Sequence, residues 1–99
     1  GGGGAGAGGG TPAAPAPAAP AAIEISGFAF SSASVAPGAT VTVVNRDGAP
    51  HTVTADDGSF DSGTVDGGAT GSFTAPRAPG TYRIHCDIHP QMTGTVTVG

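Results

Sequence analysis

From Ile23 to Val98 the apolar side chains recur at every second position in short runs, and this period of two narrows the fold most. Ile23–Glu24–Ile25, Phe28–Ala29–Phe30, Val41–Thr42–Val43, His51–Thr52–Val53–Thr54 and Thr95–Val96–Thr97–Val98 all alternate. Their valines and threonines suit a pleated surface wetted on one side. Pro37–Gly38, Asp47–Gly48, Asp57–Gly58, Gly67–Gly68 and Pro79–Gly80 punctuate the runs as turns. No window of about 11 residues carries the 3.6-residue period of an amphipathic helix. Short strands separated by frequent turns predict an all-β, antiparallel sandwich or barrel.

Strand parity then predicts which side chains meet. Between Thr81 and Cys86, one face carries Tyr82, Ile84 and Cys86, and the other carries Arg83 and His85. Met92, Gly94, Val96 and Val98 share a face of the last strand, and His51, Val53 and Ala55 share one in the middle of the chain. If Ile84, Val53 and Val96 point into the core, then Cys86, His51 and Met92 point the same way at one end of it. Tyr82 reads as core, with its hydroxyl tied to the backbone.

The first 22 residues are different. Residues 1–10 are eight glycines and two alanines, and 11–22 are almost wholly alanine and proline, with nothing large to bury. They read as a disordered linker or tether, flexible in its glycine part and more extended in its Ala-Pro part. Residues 23–99 form the predicted domain. A domain so small is marginal without a staple. Cys86 is the only cysteine, so an internal disulfide is excluded, whereas a bound metal supplies the same service.

Charge excludes several partners. Three arginines face seven acids, for a formal charge of −4. No basic cluster tracks a phosphate backbone, which argues against nucleic-acid binding. No apolar run approaches the roughly 18 residues of a membrane span. A Gly/Ala/Pro leader ahead of a compact domain predicts an exported protein, periplasmic or extracytoplasmic and tethered through that leader. The domain is expected to be monomeric.

The chemistry is concentrated in Tyr82–Arg83–Ile84–His85–Cys86–Asp87–Ile88–His89–Pro90–Gln91–Met92–Thr93–Gly94, where Cys, His and Met stand three residues apart between two strands. Thiolate and thioether are soft donors and imidazole suits both oxidation states of copper, so two His, one Cys and a weak Met match a blue-copper electron-transfer site. The chain has three histidines. His51, in Asn45–Arg46–Asp47–Gly48–Ala49–Pro50–His51–Thr52–Val53, shares the parity of Cys86, whereas His85 points to the opposite face. Read singly, each residue has a plainer explanation. Cys86 suits an inert buried thiol, Met92 core filling, His51 a strand surface and His89 a loop. Read together, with spacing and parity agreeing, the candidate metal ligands are His51, Cys86, His89 and Met92.

In these motifs, Asn-x5-His with Pro before the His and Tyr-x3-Cys-x2-His-x2-Met-x-Gly, the chain resembles the cupredoxin family, in particular its plastocyanin- and amicyanin-type members. The resemblance covers residues 23–99. It implies a Greek-key antiparallel β-sandwich, one copper ion per chain, and single-electron transfer between protein redox partners that dock near His89. Ala49, Pro50, Ile88, Pro90 and Gln91 would form a mostly uncharged contact face, with Asp56, Asp57, Asp61 and Asp66 available to steer a basic partner. It implies no enzyme activity, since four protein ligands leave no open position for a substrate. A copper storage or delivery protein is the alternative. It further implies that the Cys86 sulfur accepts the Thr52 N–H. Plastocyanins and amicyanins commonly carry proline where this chain has Ile88, so the Ile88 N–H is expected as a second donor.

Overall fold

The computed structural model of the chain describes residues 21–99. The expected disordered linker lies outside the described residues except for Ala21 and Ala22. Ala22 already opens the first strand, one residue ahead of the expected boundary, and Ala21 packs against the core.

Eight strands follow in order: β1 (Ala22–Ser26), β2 (Ala29–Phe30), β3 (Ala33–Val35), β4 (Thr40–Asn45), β5 (Thr54–Ala55), β6 (Thr70–Thr74), β7 (Gly80–His85) and β8 (Thr93–Val98). They form two four-stranded sheets, β2-β1-β4-β6 and β3-β8-β7-β5. This is the expected all-β sandwich. Ile23, Ile25, Val41, Val43 and Phe73 of the first sheet face Val35, Ala55, Ile84, Val96 and Val98 of the second, all buried. Each valine, isoleucine or phenylalanine among them contributes about 1.5–3 kcal/mol by leaving water. Phe60 stacks on Phe73 with ring centroids 4.4 Å apart and closes the core between the sheets. The Tyr82 hydroxyl donates to the carbonyl of Ala78, as its polar tip requires.

Three local expectations need correction. First, the sheets are mixed: β1 runs parallel to β4 (Ile23 opposite Val43) and β3 parallel to β8 (Ala33 opposite Val96). The chain leaves β1, crosses through β3 in the other sheet and returns as β4, and a crossover of this kind yields a parallel neighbour rather than a hairpin. Second, His51–Thr54 is not one strand. His51 forms an isolated bridge with Val65, and the Val53 N–H goes to the Ser62 hydroxyl instead of a neighbouring strand, so β5 keeps only Thr54 and Ala55. Third, the Phe28–Ala29–Phe30 alternation breaks at its first residue. Gly27 and Phe28 both have positive φ and form the turn between β1 and β2.

Candidate metal centre

One end of the sandwich is built from three segments: the β1–β2 turn, the long connection after β4, and the loop between β7 and β8. Asn45, the last residue of β4 and 1% exposed, shapes the second of these. Its amide donates to the carbonyls of Ala49 (2.8 Å), Val65 (3.0 Å) and Asp66 (3.2 Å), and its Oδ1 accepts the Asp47 N–H (3.0 Å). His51 is then locked by reciprocal backbone bonds with Val65, 3.0 and 2.7 Å long. Gly67 lets the two arms of this connection touch. A Cβ there would lie 2.2 Å from the Gly48 carbonyl oxygen.

The β7–β8 loop makes consecutive tight turns. The His89 N–H bonds the Cys86 carbonyl (3.2 Å), the Met92 N–H bonds the His89 carbonyl (2.9 Å), and the Cys86 N–H bonds the Met92 carbonyl (3.1 Å). The three-residue spacing read from the sequence thus becomes a coil that turns residues 86, 89 and 92 inward. The Nδ1 atoms of His51 and His89 each stand 3.7 Å from the Cys86 sulfur. One donor atom from each of the three residues lies within 4.8 Å of the other two. His51 and Cys86 are fully buried, Met92 is buried in the same core cluster as Cys86, and His89 is half-buried.

The donor chemistry suits a soft metal ion. Burial pushes the Cys86 thiol up, but the Thr52 N–H, the two imidazoles and the His89 N–H outweigh it and bring the pKa from 9.0 down to about 6. At neutral pH the sulfur is mainly the thiolate that binds a metal. Two imidazole nitrogens and one thiolate, with the thioether of Met92 on the same loop, are a set suited to copper rather than to a hard, oxygen-seeking cation.

Of the two backbone donors expected at the sulfur, one is found. The Thr52 N–H reaches Sγ at 3.3 Å. The Ile88 N–H forms no such bond among the described residues; the tight turn brings the His89 N–H back over Cys86 instead. The Thr52 hydroxyl accepts the Asp87 N–H (2.9 Å), tying the His51 and Cys86 segments together a second time. His85 stays apart from the cluster, with Nδ1 on Asp56 (2.6 Å) and Nε2 on Asp87 (2.8 Å). The Asp56 contact, with Asp87 second, raises its pKa.

Two residues at this end escaped the sequence reading. Phe28 is 49% exposed, yet its ring stands edge-on to both imidazoles, with centroids 4.9 Å from His51 and 4.9 Å from His89. The Asp47 carboxylate meets His51 Nε2 at 2.9 Å and also accepts the N–H groups of Gly27 (2.8 Å) and Phe28 (2.9 Å). The Phe28 N–H is the main cause that holds the Asp47 carboxyl below its usual range, ahead of the opposing cost of burial and the added pull of His51. The glycine before Phe28 was the available signal, because it marks a turn where the alternation reads straight through.

A thiolate and two imidazoles gathered at the end of a β-sandwich define a type-1 copper protein. Residues 9–98 match the sequence pattern of the cupredoxin-like domain, and the chain belongs to that family. It is 38% identical over 84 residues to the chloroplastic plastocyanin of Physcomitrium patens, an alignment covering 73% of this chain and 50% of that protein. The chain therefore spans about half the length of the curated relative it matches. Among solved structures, a reduced Cu(I) form of an amicyanin variant at pH 4 superimposes with a TM-score of 0.68 at 28% identity, over 81% of this chain and 82% of that one. An oxidised methionine-to-leucine amicyanin variant gives the same TM-score and identity over 80% and 81% of the two chains.

Proposed function

We propose that this protein is a single-electron carrier whose one copper ion is held by His51 Nδ1, Cys86 Sγ and His89 Nδ1, with Met92 as a weak fourth ligand. The observation that carries the reading is the convergence of both Nδ1 atoms on the Cys86 sulfur at 3.7 Å. When bound, copper supplies the one-electron Cu(II)/Cu(I) couple. The protein's part is to keep the donors still. The Val65 ladder fixes His51, and the turn bonds at residues 86–92 fix Cys86, His89 and Met92. Donors held in one arrangement have little to reorganise when charge changes, which favours fast transfer. Four protein ligands leave no open position for a substrate, which supports a carrier over an enzyme.

His89 is the exit on this reading, since it is the least buried of the three clustered donors. Phe28 and Ile88, 49% and 43% exposed, are the two large exposed hydrophobic residues among those described. They form an uncharged contact face for a protein partner, which desolvates readily and lets the complex form and part quickly. Asp57 and Asp61 cap their own turns through the Ser59 and Gly63 N–H groups, and Asp56 is engaged by His85, so steering of a basic partner is a secondary feature. Storage or delivery of copper would favour ligands open to exchange, whereas His51 and Cys86 are fully buried. In an extracytoplasmic compartment an unpaired thiol needs a role, and metal ligation gives Cys86 one. No helix among the described residues is long and apolar enough to cross a membrane. Voltammetry of the copper-loaded protein tests the carrier reading. It predicts a reversible one-electron wave, and copper that leaves the protein on reduction would contradict it.

A further inference from the structure

We propose that Asp47 is a positioning residue of the metal centre, which fixes the His51 ring for copper and clamps the turn that lays Phe28 across both imidazoles. The inference rests on the copper reading above.

A neutral imidazole carries its proton on one nitrogen and a lone pair on the other. A carboxylate only accepts, so His51 Nε2, 2.9 Å from Asp47 Oδ2, is the protonated nitrogen. Nδ1, the atom that faces the Cys86 sulfur at 3.7 Å, is thereby left as the nitrogen that copper would take. The contact is sheltered: the His51 side chain is 0% exposed and that of Asp47 13%. A negative acceptor on the far nitrogen makes the ring a better donor, and it stabilises the more highly charged metal state most.

The same carboxylate has a second task. Oδ1 accepts the Gly27 N–H and Oδ2 the Phe28 N–H, across 20 and 19 residues of sequence. These bonds hold Phe28 at φ 59, a conformation that non-glycine residues rarely adopt, and the outcome is a ring edge-on to His51 and His89. A carboxylate that only closed a turn would not need to touch the ring of a candidate ligand.

The test compares wild type with Asp47→Asn, an isosteric change that removes the charge. Loss of a partner of this kind typically weakens metal binding about 10–100-fold. Cu(II) should lose at least about tenfold more affinity than Cu(I), and each tenfold difference raises the potential by about 59 mV for a one-electron couple. In the metal-free wild type, nitrogen NMR should find Nε2 of His51 protonated. A blue D47N protein whose potential is unchanged or lower overturns the proposal while leaving the copper reading intact. A wild type that binds no copper overturns both. If D47N fails to fold, that NMR measurement decides alone, and an Nε2 without a proton overturns the proposal.

Discussion

Replacing Asn45 by alanine tests how the metal end is held together. The side chain is 1% exposed and serves four backbone groups: the carbonyls of Ala49, Val65 and Asp66, and the N–H of Asp47. Val65 keeps a second partner, because its carbonyl also accepts the His51 N–H. The groups at Ala49, Asp66 and Asp47 are part-buried and recover some water on truncation. With a net bond worth about 0.5–1.5 kcal/mol and an orphaned buried group costing about 1–3 kcal/mol, the loss comes to roughly 2–3 kcal/mol. For a domain of this size each kcal/mol moves Tm by about 4–8 °C, so the midpoint of the metal-free protein should fall by roughly 10–20 °C. Circular dichroism melts of wild type and N45A measure it. Asn45→Asp should fare worse, because it turns carboxylate oxygen toward three carbonyl oxygens. A fall in N45A of less than about 4 °C, under 1 kcal/mol on the same scale, would mean that the connection is held without its central amide.

In the metal-free protein, the ultraviolet absorption of the Cys86 thiolate should titrate at about pH 6. Because the folded pKa lies below the unfolded value of 9.0, the ionised thiol stabilises the fold fully above pH 9 and that contribution disappears as pH falls to about 6. It amounts to roughly 4 kcal/mol at most, at 1.36 kcal/mol per unit; a thiol midpoint near 9 would contradict it. Ile88→Asp places a charge on the proposed contact face, so electron self-exchange between copies of the protein, read from NMR line widths, should slow at least about tenfold, since an unpaired charge resists burial. Unchanged self-exchange would move the contact face elsewhere.

What could be read from the sequence was what is local. The three-residue spacing of Cys86, His89 and Met92 survives as turns, and strand parity placed Cys86, His51 and Met92 on the inner face, where all three are buried. The weak strands were not legible. Thr70–Gly71–Ser72–Phe73–Thr74 has one large apolar residue and Ala33–Ser34–Val35 is only three residues long, so pairing with β4 and β8 defines them more than their own pattern does. Phe28 was missed for the same reason, because its ring meets imidazoles 23 and 61 residues further along the chain; Asp47 stands only four residues before His51, but its bonds to Gly27 and Phe28 cross from another loop. The Ile88 donor failed at finer grain: substituting an N–H for a proline creates a donor but does not aim it, and the bond that closes the turn comes from His89.

The most direct test is a titration of the metal-free protein with Cu(II), followed by visible absorption and repeated with Cys86→Ser. A thiolate bound to copper beside two imidazoles should give an intense charge-transfer band that saturates at one ion per chain and vanishes in C86S. A colourless complex in the wild type, or a band that survives the loss of the Cys86 sulfur, would contradict the assignment of this site.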